Sequence, residues 1–303
     1  MFYKRILVAL DGSRFSECVL PFVHVFAKAL EIPVELLQVI DPEDFRLLRE
    51  PSHGQYYETE AERRSSSFAY LNKVATAFSN VAKVSSSVQI GKPAAVIIDR
   101  ATAGSGSLIA MTTHGRSGVQ RWLLGSVADK VLHEAASPLL LVRSVETEDF
   151  SEARPMKTIW VPLDGSPLAE KVIPHVVEMA DKTGLEVVLL RVYLMPGVAY
   201  LTGDSQPDWE RVQEETRSAA DDYLNQKLRE LQKQGLKKVS AIVLEGSAAE
   251  KIIQTAKEKP DSLIAICTHG RTGIKRAMLG SVADRVVRHG EVPVLLVPSS
   301  VAP

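Results

Sequence analysis

Short runs of apolar and β-branched residues alternate along the chain with longer stretches in which apolar positions recur every three or four residues. In the first half this pattern predicts strands near 5–10, 34–40, 84–90, 107–112 and 138–143, with helices near 14–30, 58–79, 93–103 and 126–136. Strands that are apolar almost throughout belong to a parallel sheet covered by helices on both faces. Ser13 and Ser126 stand where helix N-caps are expected, and Ser166 is followed by Pro167 at a first helical position. Five parallel strands joined by right-handed crossovers make an α/β, doubly wound, Rossmann-like sheet. Ligands on such sheets bind beyond the carboxyl ends of the strands where the winding reverses, which directs attention to the loops after the first and fourth strands.

The pattern is written twice. ILVALDGSRFSECVLPFV at 6–23 answers IWVPLDGSPLAEKVIPHV at 159–176, an offset of 153. THGRSGVQRWLLGSVADKV at 113–131 answers THGRTGIKRAMLGSVADRV at 268–286 with 13 of 19 positions identical, at an offset of 155. A repeat this long implies two copies of one fold. The acidic, apolar-poor segment 144–156 reads as a linker, placing the domains at 1–148 and 155–303.

Composition narrows the function. The 303 residues are 45% hydrophobic with a formal net charge of -1, which excludes disorder and gives no electrostatic reason to bind nucleic acid or an anionic membrane. Cys18 and Cys267 lie 249 positions apart with no partner at metal-ligand spacing, so a reducing, cytoplasmic setting is expected. The first apolar run, Ile6 to Leu10, is too short for a signal segment or a membrane span, and the protein is expected to be soluble and unexported.

The loop after the fourth strand repeats most faithfully. Gly115 is followed after nine residues by Gly125-Ser126, and Gly270 after nine by Gly280-Ser281. Glycines let backbone approach a ligand and a helix start attracts anions, so each loop could cradle phosphates; the same glycines could also serve only to turn the chain. No GxxxxGK[ST] loop or other committed catalytic phosphate motif is present.

In these residues the sequence resembles the universal stress protein family, whose nucleotide-binding members carry G-x2-G-x9-G-[ST] here. The resemblance implies an adenine nucleotide alpha hydrolase-like fold in each copy, the two forming a pseudo-dimer, and ATP, ADP or AMP as ligand. It assigns ribose and phosphate contacts to Gly115, Gly125, Ser126 and Val127, and to Gly270, Gly280, Ser281 and Val282. Asp11 and Asp164 would face the adenosine, Val39 and Val192 would pack on adenine, and any Mg²⁺ would enter with the phosphates. His114 and His269 fall on the motif's variable pair. Thr112 and Cys267 replace its first glycine, the feature that favours a nucleotide-free scaffold of the same fold; a slow ATPase is the other alternative. The resemblance also implies that the closing strands, PLLLV at 138–142 and PVLLV at 293–297, pair antiparallel within the chain, that a homodimer forms, and that signalling passes to protein partners not yet identified.

Overall fold

A computed structural model describes residues 2–43, 59–114, 124–144, 156–195, 208–270 and 279–299. The chain divides into two compact units, Met1–Arg154 and Pro155–Pro303. The first holds β1 (Arg5–Leu10), β2 (Val34–Ile40), β3 (Val84–Ile90), β4 (Ser107–Thr112) and β5 (Leu139–Val142), laid out in the order β3-β2-β1-β4-β5. The second repeats this with β6 (Thr158–Pro162), β7 (Glu186–Tyr193), β8 (Val239–Glu245), β9 (Ser262–Cys267) and β10 (Val294–Val297), in the order β8-β7-β6-β9-β10. Within each unit every neighbouring pair is parallel. The chain winds outward from the first strand to the third, then returns to the other side of the first for the fourth. That reversal opens a crevice above the carboxyl ends of β1 and β4, and of β6 and β9.

Burial explains why these segments are strands. All six residues of β4 and of β9 are buried, so SLIAMT and SLIAIC present apolar side chains to helices on both faces. The outer strand β3, VSSSVQI, keeps only Val88 fully buried, and its serines tolerate the half-solvated position. Away from the crevice, at the amino end of the first sheet, buried Glu35 takes Arg5 Nη1 at 2.7 Å and Arg100 Nε at 2.6 Å, so its carboxylate is paired twice where water is excluded.

The first unit also contains α1 (Arg14–Glu17), α2 (Leu20–Leu30), α3 (Glu60–Ala75), α4 (Pro93–Thr102) and α5 (Ser126–Glu134), with a short 3-10 turn at Thr76–Phe78. The second contains α6 (Pro167–Glu170), α7 (Ile173–Thr183), α8 (Trp209–Lys233), α9 (Ala248–Lys257) and α10 (Ser281–His289). Two expectations are corrected. The single helix expected over 14–30 is broken into α1 and α2, because Pro21 has no N–H to give the Glu17 carbonyl and its ring would collide with it; Pro174 divides α6 from α7 in the same way. Ser126 is not a cap: it is the first residue of α5, and Gly125 holds the cap position without a side chain to offer. Ser13 and Ser166 do cap, accepting from Ser16 N at 3.3 Å and Ala169 N at 3.1 Å.

One difference between the units lies at the crevice. The β1–β4 ladder runs as far as Val8↔Ala110, whereas β6–β9 stops at Trp160↔Ile264, one pair earlier. The next pair would use the N–H of residue 162, and Pro162 has none.

Candidate functional site

Each crevice contains a cavity. The first, of about 330 Å³, is lined by Leu10 and Asp11 from the end of β1, Leu37, Val39 and Asp41 from β2 and its exit, Pro93 and Ile97 from α4, and Met111 to His114 from β4 and its exit. Gly125, Ser126, Val127 and Ala128 close it from the start of α5. The second, of about 190 Å³, is lined by the corresponding Leu163, Asp164, Leu190 and Val192, by Ala248 and Ile252 of α9, by Ile266 to Gly270, and by Gly280 to Ala283. The structure thus brings Asp11, Val39, Gly125, Ser126 and Val127 together on one cavity, and Asp164, Val192, Gly270, Gly280, Ser281 and Val282 on the other. Gly115 lies outside the described residues.

The helix starts set the electrostatics. Among the described residues no side chain caps α5 or α10, so the first backbone N–H groups of these two nine-residue helices can meet whatever occupies the cavity. Aligned peptide dipoles add partial positive charge there, which suits a phosphate. The glycines before these helices also sit tightly against the chain itself. A Cβ on Gly125 would stand 3.1 Å from the Thr113 carbonyl oxygen, and one on Gly280 would stand 3.0 Å from that of Thr268. Those same carbonyls accept the Gly125 and Gly280 N–H groups at 2.8 Å, locking the helix start against the loop after the fourth strand.

The carboxylates are positioned by short turns. Asp11 Oδ1 accepts from Ser13 N at 2.9 Å and Ser13 Oγ at 2.6 Å, and Asp164 Oδ1 accepts from Ser166 N at 2.9 Å. In the second unit the other carboxylate oxygen lies so close over Gly270 that a Cβ there would collide with it. Gly270 therefore makes room for Asp164 within the cavity wall.

The two motif histidines share an unusual state. His114 Nδ1 meets Thr113 Oγ1 at 3.1 Å, while His269 Nδ1 meets Thr268 Oγ1 at 3.0 Å and Ser299 Oγ at 3.1 Å. In both, Nε2 is buried without a hydrogen-bond partner among the described residues. An unsatisfied buried nitrogen costs about 1–3 kcal/mol, and the two units carry it at the same place. Burial, with the Arg143 charge adding to it, pushes the His114 imidazole below its usual range and keeps it neutral at pH 7. Thr112, at the motif's first glycine, turns its hydroxyl onto the His114 carbonyl at 2.8 Å. Cys267, at the same place in the second unit, is a buried free thiol whose pKa burial raises. Among the described residues, no group of three or more His, Cys, Asp or Glu side chains is arranged to hold a metal, and no helix is long and apolar enough to cross a membrane.

Sequence reading missed Asp41, Ser16, Pro93 and Ile97 as lining residues. Asp41 was legible in principle: it stands two positions after Val39 and so shares its face of the strand. Pro93 and Ile97 come from a helix whose register against the crevice only the packed structure fixes.

Comparison with known proteins agrees with this architecture. A universal stress protein of Mycolicibacterium smegmatis is 27% identical over 296 residues, covering 96% of each chain. One from Mycobacterium tuberculosis is 24% identical over 300 residues, covering 97% of each. The crystal structure of a universal stress protein from Archaeoglobus fulgidus matches with a TM-score of 0.70 at 22% identity over 98% of this chain and 99% of that one, which establishes likeness of fold. The model of the universal stress protein family matches residues 2–143 and again 155–298, and with both units so accounted for, the chain belongs to that family.

Proposed function

We propose that each unit binds an adenine nucleotide in its crevice cavity, and that occupancy is read by other proteins in a stress response. The observation that carries this reading is the twofold occurrence of a helix start with no side-chain cap at a cavity that also offers apolar side chains, Leu37, Val39 and Ile97 in one and Leu190, Val192 and Ile252 in the other. Phosphates would lie on the N–H groups and hydroxyls of Ser126 and Ser281, with the base against Val39 or Val192. Two buried cysteines, neither in a disulfide, are in keeping with work in the cytoplasm.

Mg²⁺ would come in on the phosphates. Asp11 could contribute one carboxylate oxygen, far short of the six ligands the ion takes. A site of backbone amides and serines holds ground state and transition state alike, so it gives affinity without rate, and hydrolysis should stay below about 1 s⁻¹. The deciding experiment is titration of the full chain with ATP, ADP and AMP, together with mass spectrometry of any small molecule released from the purified protein on denaturation. Saturable binding of up to two nucleotides per chain is expected. No binding at millimolar nucleotide and no released nucleotide would refute the reading and leave the scaffold alternative.

A further inference from the structure

We propose that Asp41 makes the first cavity selective for the ribose of its nucleotide, by accepting hydrogen bonds from the 2′- and 3′-hydroxyls, and that the second cavity lacks this selectivity. The inference rests on the nucleotide-binding reading above.

Asp41 leaves the carboxyl end of β2 and lines the first cavity on the same face as Val39. Its Oδ1 is engaged, accepting from the Glu43 backbone N–H at 3.0 Å and facing Lys92 Nζ at 3.5 Å. Lys92 lies closer to Glu43, at 2.6 Å, so it only partly offsets the Asp41 charge. Oδ2 has no partner among the described residues, and the side chain is 23% exposed, at the rim of the cavity.

The orientation of a bound nucleotide follows from charge and distance. Its phosphates are drawn to the α5 start, beyond β4, and repelled by the Asp41 carboxylate beyond β2. The order β2-β1-β4 sets these ends two strand spacings apart, roughly 10 Å, about the reach of a nucleoside. A carboxylate accepts and cannot donate, so at the nucleoside end it can bond only hydroxyls or an exocyclic amine. The wall there includes Leu37 and Ile97, which suits the face of a base. That leaves the sugar at the rim, where dinucleotide-binding sheets also place an acidic residue against the ribose. In the second unit the residue two positions after Val192 is Leu194, which is 73% exposed and does not line the cavity. Ser16 and Thr112 of the first lining are likewise replaced by Ala169 and Cys267, so the second cavity is both smaller and less polar.

The test uses the full chain with one cavity filled at a time. Ala248→Trp occupies the second cavity and leaves the first to report; Pro93→Trp, at the corresponding place, does the reverse. Each protein is titrated in competition with ATP, 2′-deoxy-ATP, 3′-deoxy-ATP and inosine triphosphate. In the Ala248→Trp chain each deoxy analogue should bind about tenfold more weakly than ATP. Adding Asp41→Ala should shrink that gap to about twofold, with Asp41→Asn, which keeps one acceptor, in between. The second cavity should bind ATP and its deoxy analogues within about twofold of one another. Equal binding of ATP and deoxy analogues by the first cavity overturns the proposal, as does a gap that survives Asp41→Ala. So does an effect of Asp41→Ala confined to the ratio of ATP to inosine triphosphate, which would assign the carboxylate to the base amine. Failure of the unsubstituted chain to bind ATP at all overturns this proposal and the nucleotide reading together.

Discussion

Replacing Gly125 by Ala tests whether the helix start and the loop after β4 form one rigid seat. A Cβ at 3.1 Å from the Thr113 oxygen is several tenths of an ångström inside comfortable carbon–oxygen contact. Neither party can swing aside as a side chain would: the carbonyl is held by the Gly125 N–H at 2.8 Å, and Thr113 N is itself bonded to the Val142 carbonyl at 2.9 Å. Forced overpacking of this kind costs about 1–3 kcal/mol. In a unit of this size that lowers Tm by roughly 2–4 °C per kcal/mol. The α5 N–H groups would also move relative to the cavity, so ATP affinity at the first site should fall at least about tenfold. Urea unfolding and calorimetric titration of the same Gly125→Ala protein read both effects. Gly280→Ala should behave alike in the second unit, its Cβ meeting the Thr268 oxygen at 3.0 Å. A Gly125→Ala protein of unchanged stability but weakened binding would refute the argument, since the glycine would then serve the ligand and not the chain.

Other outcomes are as specific. Glu31 ends α2 in the left-handed region at φ 55, where the second unit has Gly184 at φ 72 with open space around its Cα; Glu31→Gly should raise the stability of the first unit by about 1 kcal/mol in denaturant titration. His175 is 2% exposed and burial pushes its imidazole down to about 4. Since the folded value is depressed below 6.5, the unfolded chain takes up the proton first, and stability is lost as pH falls from about 6.5 toward 4, by up to roughly 3 kcal/mol. His175→Phe, which copies Phe22 at the matching place in the first unit, should flatten that part of the stability–pH curve relative to the unsubstituted chain; parallel curves would show that other groups set the slope.

How far the sequence foretold this structure depends on what kind of physics each feature uses. Strand and helix identities were legible because burial on two faces and on one stripe leave different periodicities, as in SLIAMT against the stretch around Leu71 and Val74. The breaks at Pro21 and Pro174 were written in the sequence but overridden in the reading by an apolar pattern that continues across them. The cap at Gly125 was misplaced by one residue because a serine beside a helix start is a stronger local signal than a glycine that caps with nothing. The role of Gly270 was out of reach: it depends on Asp164, more than a hundred residues away, leaning over its Cα. Asp41 likewise becomes meaningful only once the sheet order sets β2 and β4 on either side of β1.

The inequality of the two cavities, about 330 and 190 Å³, has a consequence for signalling under the proposed function. Identical, independent compartments would fill at the same concentration, and the half-loaded form would never exceed about half of the chains. Compartments of different size and polarity have different affinities, so a singly occupied form predominates over an interval of nucleotide concentration between them. Such a chain reports three levels of supply, empty, half loaded and full, where a single-domain relative reports two, and a partner protein that distinguishes the half-loaded form would respond only inside a band.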